Sequence, residues 1–180
     1  MMTEDLAHIS SSPLGADDVD IPIKLLIENL SKQEIPDEIK LEMWMKKTLE
    51  VLKEKNLSGR IELFFVEAKK MQALNKEYRN QDKVTDVLSF SFLEGERFPG
   101  EDLVGQIFIE PLIAKNQAME HGATWAEEIE FLFVHALLHV FGYDHEKKGD
   151  FKEMFDLHAK IMPDQKWANS VKKIYQEYFG

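Results

Sequence analysis

The chain has 180 residues, of which 44% are hydrophobic and 31% are charged, and it contains no cysteine. This length and composition predict one globular domain and exclude disulfides, cysteine nucleophiles and cysteine-ligated zinc. The formal net charge of −11 argues against general binding of polyanions, so contact with nucleic acid would need a local basic face.

The first twenty residues predict a flexible acidic arm. Residues 1–20 contain five acidic residues and neither lysine nor arginine, so they lack the basic start of a signal peptide. No apolar run in the chain approaches the roughly 20 residues that cross a bilayer. We therefore expect no membrane partner and a cytoplasmic location.

From residue 21 onward the apolar patterns predict one domain over residues 21–162. Short or alternating apolar runs predict strands over residues 21–27, 61–66, 87–93 and 103–109. Apolar spacing, caps and prolines predict helices over residues 36–52, 68–78, 111–120, 124–141, 150–161 and 164–178. Because strands and helices mix without strict alternation, we expect an α+β fold in which a small mixed β-sheet packs with helices.

Two details refine this prediction at the ends of the domain. Pro22 lacks a backbone N–H, which restricts the first strand to a strand start or a sheet edge. After Pro163, residues 163–180 form a separate C-terminal helix in this interpretation. An apolar stripe on that helix favours packing on the core, with docking to a partner as the alternative.

The second predicted helix and the residues after it are locally basic. Residues 68–84 contain five lysines and arginines and only two acids, a local excess of +3 in an acidic chain. Charge alone favours a solvated helix face. The same excess is the basic face that binding of a polyanion would require.

The strongest chemical signal is the segment 135–145, HALLHVFGYDH. His135 and His139 are four residues apart on a predicted helix and therefore share one face. Gly142 allows the chain to turn, so that His145 can return toward that face. Three neutral imidazoles with one open position are typical of a catalytic zinc site, in which the ion activates water or polarises a phosphate.

The same histidine spacing occurs in metzincin peptidases, which leaves peptide hydrolysis as an alternative function. Those enzymes carry a glutamate general base directly after the first histidine. Here that residue is Ala136, which has no proton to accept or give. The position therefore argues against peptide hydrolysis by that route.

Two ordered motifs together identify a resemblance. They are Leu74-Asn75, Tyr78-Arg79, Asp82 and Thr85 to Phe90, followed by His135-x3-His139-x2-Gly142-Tyr143-Asp144-His145. In these motifs the chain resembles the YbeY family of metal-dependent endoribonucleases. The resemblance implies three metal ligands at His135, His139 and His145, one ion usually taken as zinc, and a functional arginine at Arg79.

The resemblance also implies a biological setting. It implies cleavage of single-stranded RNA, with ribosomal RNA or ribosomal particles as partners, in small-subunit rRNA maturation and ribosome quality control. A non-catalytic ribosome-assembly factor with a structural metal is a further alternative.

The chain departs from the family pattern at three positions. Ser91 replaces a usual proline, Gln106 replaces an aspartate, and Ala136 replaces a glycine. The change at Gln106 removes a carboxylate. Two other histidines are not expected to bind metal, because His158 lies at core spacing and His121 lies at a helix end.

Overall fold

The computed structural model describes residues 23–54, 57–93, 102–145, 148–163 and 171. The strands are β1 (Ile23–Asn29), β2 (Gly59–Phe65), β3 (Val87–Ser91) and β4 (Leu103–Ile109). The helices are α1 (Leu41–Leu52), α2 (Ala68–Arg79), α3 (Pro111–His121), α4 (Trp125–Val140) and α5 (Lys148–Ile161). No helix in these ranges is both long and apolar enough to cross a membrane.

The order and type of these elements confirm the predicted α+β fold. The predicted arm over residues 1–20 lies outside the described residues. So does the predicted last helix, apart from Val171, which is helical and packs against the core.

The four strands form one mixed sheet in the order β1-β2-β4-β3. β1, β2 and β4 are parallel, whereas β3 pairs with β4 in the antiparallel direction. β1 lies at one edge, as Pro22 in the sequence indicated, and β3 lies at the other. Because β3 is an edge strand, the loop that joins α2 to β3 lies at this edge of the sheet.

Helix α1 begins at Leu41, four to five residues later than the proline signal at Pro36 predicted. The side chain at the cap position, Lys40, does not cap the helix. Instead the backbone N–H of Lys40 donates to the carboxylate of Glu130 on α4, at 2.9 Å. A contact from a distant helix therefore fixes the first turn, and local propensity does not.

The two faces of the sheet are covered to different extents. Helices α1, α4 and α5 pack with one face to form the main core. On the opposite face, α2 covers a smaller cluster made of Val66, Met71, Leu74, Leu88 and Phe108. Most of α4 is buried, including Phe131, Phe133 and Leu137, so this helix is held by packing on several sides.

The C-terminal end of α4 lies unusually close to the sheet. A Cβ atom added at Gly105 of β4 would lie 2.5 Å from Cγ1 of Val140, which only glycine avoids. The hydroxyl of Ser91 donates to the backbone carbonyl of Val140 at 2.7 Å. A proline at position 91 could not make this bond, so the residue that departs from the family pattern ties β3 to α4.

Candidate metal centre

The ends of α4 are defined by the local signals that the sequence indicated. At its start, the hydroxyl of Thr124 accepts from the N–H of Glu127 at 3.2 Å, and the Glu127 carboxylate accepts from the N–H of Thr124 at 2.8 Å. This reciprocal pair is a capping box. At its end, Gly142 has a φ of 87°, and its N–H donates to the carbonyl of His139 at 3.0 Å. The chain therefore reverses, and His145 returns toward α4.

The structure brings the three predicted histidines together. One nitrogen from each of His135, His139 and His145 lies within 4.8 Å of the others. The Nε2 atoms of His135 and His139 are 3.3 Å apart. Two imidazole nitrogens at roughly 2.0–2.1 Å from one tetrahedral ion would be about 3.3 Å apart, so this pair fits a single metal ion.

Two of the imidazoles are in the protonation state that a metal requires. Burial, and then the neighbouring histidine charges, lower the pKa of His135 well below its ordinary value. Burial and the neighbouring His145 lower the pKa of His139 to about 4. Both rings are therefore neutral near pH 7, with nitrogen lone pairs available for binding.

Surrounding groups fix how these rings point. His139 makes a hydrogen bond with the backbone of Tyr143, and its Nδ1 lies 3.9 Å from the carboxylate of Asp144. The ring of His135 is nearly parallel to the ring of Phe131, with 6.2 Å between centroids and 14° between planes. The Nδ1 atom of His135 is buried and has no hydrogen-bond partner in the described part of the chain. A buried ring nitrogen without a partner is unfavourable, and binding of an ion at the Nε2 atom would have to offset that cost.

The histidines open into a cleft of about 740 Å³ at the β3 edge of the sheet. Its other side is formed by Arg79 at the end of α2 and by Gln81, Thr85 and Asp86 of the following loop. Arg79 is exposed, and its positive charge contributes to the lowered pKa of both His135 and His139. The structure thus places Arg79 and the three histidines around one space.

Arg79 is available for an anionic ligand. Among the residues described, it makes no ion pair, whereas the nearby Lys76 is paired with Asp82 at 2.6 Å. Asp82 therefore neutralises part of the basic segment before any substrate arrives. A planar guanidinium that lacks a protein carboxylate partner suits a phosphate.

Asn75 has a part in this arrangement that sequence reasoning did not assign. Its backbone carbonyl accepts from the N–H groups of Asn80 and Gln81, and its side-chain amide donates to the carbonyl of Lys83 at 2.8 Å. Asn80 takes a left-handed conformation, with a φ of 56°. This buried asparagine therefore shapes the loop that follows Arg79; its place in the Leu74-Asn75 motif was the available signal.

The two aspartates of the sequence motifs, Asp86 and Asp144, have hydrogen-bond partners within the protein. Asp86 accepts from the N–H of Val87 at 2.8 Å and from the side chain of Gln117 at 2.8 Å. Asp144 accepts from the N–H of His145 at 2.7 Å. Both carboxylates line the cleft, and both shape the backbone there.

Gln106 does not reach the cleft. Its side chain lies on the α2 side of the sheet and donates to Glu62 at 2.7 Å. That bond, followed by the bond from Arg60, lowers the pKa of Glu62. An aspartate at position 106 would place a second negative charge beside Glu62. Because residue 106 does not line the histidine cleft, the departure at Gln106 leaves that cleft unchanged.

The two other described histidines lie outside the cluster. His158 is buried against Phe131, at 4.6 Å between ring centroids, as its spacing predicted. His121 lies in the last turn of α3 and contacts the buried Glu128 at 2.9 Å.

The chain is similar in sequence to several known proteins. An endoribonuclease YbeY of Ureaplasma urealyticum is 37% identical over 142 residues, which cover 78% of this chain and 90% of the relative. One of Staphylococcus carnosus is 43% identical over 102 residues, which cover 54% of this chain and 67% of the relative. A solution structure from Thermotoga maritima is 25% identical, with a TM-score of 0.47, and covers 84% of this chain and 93% of the other.

A family model also matches most of the chain. A model described as endoribonuclease YbeY matches residues 26–166, which include α2 with Arg79 and all three clustered histidines. The chain belongs to the endoribonuclease YbeY family.

Proposed function

We propose that residues 21–162 form a metal-dependent endoribonuclease domain that cleaves single-stranded RNA. One zinc ion is held by His135, His139 and His145, and Arg79 acts on the substrate. The observation that carries this proposal is the convergence of three imidazoles within 4.8 Å, in a cleft that Arg79 also lines.

Each group has a distinct role in this proposal. When bound, a zinc ion held by the three histidines would activate a water molecule or polarise the reacting phosphate group. The guanidinium of Arg79 orients that phosphate and stabilises the negative charge that develops during cleavage. Asp144 and the backbone of Tyr143 keep the His139 ring in its binding orientation.

The wider setting is also part of the proposal. We infer that the RNA is ribosomal, that the chain acts in small-subunit maturation and ribosome quality control, and that it does so in the cytoplasm. Support comes from membership of the endoribonuclease YbeY family and from the basic α2 segment beside the cleft. The acidic remainder of the chain confines RNA contact to that segment.

The geometry does not favour peptide hydrolysis. Ala136 lines the cleft directly after the first histidine, where a peptidase of this spacing would place its glutamate base. A purely structural metal is also disfavoured, because structural zinc sites are closed by four protein ligands. The three-histidine cluster holds three among the residues described and opens into the cleft.

Metal analysis and cleavage assays on one preparation test this function. We expect about one zinc ion per chain, zinc-dependent cleavage of single-stranded RNA, and no cleavage of a peptide panel. Cleavage of peptides with RNA left intact would overturn the proposal in favour of a peptidase. Bound zinc with neither activity would favour the assembly-factor alternative.

A further inference from the structure

Two consecutive residues at the end of α2 lie on opposite sides of the edge strand β3. The ring of Tyr78 makes an edge contact with Phe90, at 4.9 Å between centroids and 65° between planes. Phe90 points to the α2 face of the sheet, whereas Val87 and Ser89 point to the other face and line the cleft with Arg79. Tyr78 and Arg79 therefore straddle β3.

Tyr78 is the exposed end of a row of aromatic rings. Phe90 contacts Phe108 at 5.9 Å, and Phe108 stacks on Phe64 at 5.1 Å. These three phenylalanines are buried or half-buried, but 60% of the Tyr78 surface is accessible. The row holds the tyrosine ring in place while leaving much of it in solvent, which is the arrangement of a platform on which another flat ring can stack.

The backbone between the two side chains is also available. The backbone N–H of Phe92 donates to the carbonyl of Val104, and the backbone carbonyl of Asp86 accepts from the N–H of Glu110. The backbone groups of the even-numbered residues of β3 therefore point toward β4. By alternation, the N–H of Ser89 points away from β4, toward the open edge. Within the described part of the chain no further strand pairs with this edge. A chain that crosses β3 from the cleft to Tyr78 would meet this donor.

The charge around Tyr78 selects the kind of chain. Residues 68–84 carry an excess of +3, and Arg79 is unpaired among the residues described. A positive track beside an exposed aromatic ring is the combination that binds single-stranded nucleic acid. Paired bases of a duplex could not lie flat on Tyr78, so the arrangement also selects single strands.

We propose that Tyr78 stacks against one base of the RNA substrate, next to the nucleotide whose phosphate Arg79 holds, so that the RNA bends across the β3 edge. This subsite rests on the proposed endoribonuclease function. It contributes substrate affinity, and it does not touch the reacting phosphate.

The test compares Tyr78→Leu with Tyr78→Phe in the zinc-loaded protein. Leucine keeps Phe90 covered but removes the aromatic face, whereas phenylalanine retains it. In single-turnover cleavage of a single-stranded RNA, Tyr78→Leu should raise the half-saturating protein concentration on the order of tenfold. Tyr78→Phe should remain within about twofold of wild type, and neither variant should change the maximal rate greatly.

Abasic substitutions in the RNA locate the stacked base. Removing bases one at a time should weaken wild-type binding most at one position beside the cleavage site. That position should lose its special effect in Tyr78→Leu. Met119→Ala on α3 is the matched control, since Met119 is 70% exposed and lies outside the cleft. Thermal unfolding of each variant verifies the fold.

A second readout separates failure of this subsite from failure of the proposed function. Quenching of 2-aminopurine in the RNA, recorded by stopped flow before cleavage, should occur in wild type and decline in Tyr78→Leu. Equal affinity and quenching in both proteins would overturn the subsite while leaving the nuclease intact. Quenching that depends on Tyr78 without any cleavage would support the subsite and overturn the nuclease. Absence of RNA binding would overturn both.

Discussion

The histidine side of the cleft is buried in the protein, whereas the arginine side stands in solvent. His135 and His139 belong to α4, a helix surrounded by the core and tied to β3 and β4 at its C-terminal end. Arg79 ends α2, and the loop that follows it is held by local contacts, such as the hydrogen bonds of Asn75 and the pair of Lys76 with Asp82. The comparison teaches that packing fixes the histidine cluster, whereas Arg79 presents its charge from an exposed, locally supported helix end.

The largest effect should follow from removal of a ligand on the histidine side. His139→Ala should lower metal affinity by more than the roughly 10–100-fold that loss of a supporting residue around a ligand produces, and it should abolish RNA cleavage. Competition with a chromophoric chelator and metal analysis measure the affinity. His8→Ala is the control, because His8 lies far in sequence from the segment 135–145 that carries the three histidines. Unchanged zinc content in His139→Ala would contradict the assignment of this ligand.

The next effect concerns the arginine side alone. Arg79→Lys keeps the charge but removes the planar fork, so we expect a rate loss on the order of 10²–10³. Zinc content and stability should stay constant, within about 0.5 kcal/mol in the free energy of unfolding. Single-turnover cleavage across a salt series measures the rate.

Two neighbouring lysines serve as the comparison for Arg79. Lys69→Ala and Lys70→Ala should weaken RNA binding modestly and flatten its salt dependence, because these side chains would make diffuse backbone contacts. Wild-type cleavage by Arg79→Lys would place that residue among the same diffuse charges.

A third prediction asks whether packing really fixes the metal side. Gly105→Ala would press against Val140, so we expect a loss of about 1–3 kcal/mol in the free energy of unfolding, together with weaker zinc binding. Urea titration and chelator competition measure the two quantities. Gly149→Ala is the matched control, because a Cβ there meets no atom within 4 Å. Equal stability of the two variants would show that α4 tolerates displacement.

The smallest predicted effect is a pH dependence from His158, which packs against Phe131 of α4. Burial lowers the pKa of His158 to about 4 in the folded protein, whereas an unfolded histidine titrates near 6.5. Between these values the unfolded state binds more protons, so the stabilisation is present above about pH 6.5 and is lost as the pH falls toward 4. Metal-free protein should therefore lose on the order of 1 kcal/mol from this group between pH 7 and 5.

The urea midpoint, measured across that range, checks this prediction. His158→Phe should show a shallower dependence on pH, because phenylalanine does not titrate. Arg79→Lys should keep the wild-type dependence. Identical slopes in wild type and His158→Phe would contradict the buried neutral state of His158.

Sequence reasoning predicted the histidine side well because its signals are local. The four-residue spacing of His135 and His139, and the glycine at position 142, bring the three histidine rings together within eleven residues of chain. The capping box at Thr124 is equally local. All of these depend on the periodicity and termination of one helix, which a single sequence displays.

The arginine side was less predictable because it depends on tertiary structure. Arg79 lines the same cleft as the histidines because α2 ends beside the edge strand β3. The order of strands in a sheet cannot be deduced from local residue spacing. The direction of Gln106 depends on the register between β2 and β4. For Arg79 the family resemblance supplied the expectation, and charge alone favoured a solvated surface.

The bond between the backbone of Lys40 and the side chain of Glu130 joins residues 90 positions apart. The first turn of α1 thus receives its cap only after α4 has been synthesised and has docked. A nascent chain that ends before α4 lacks Glu130 and therefore lacks this bond. In this protein the final boundary of an early helix is therefore set late in folding, by the same helix that carries the histidine pair.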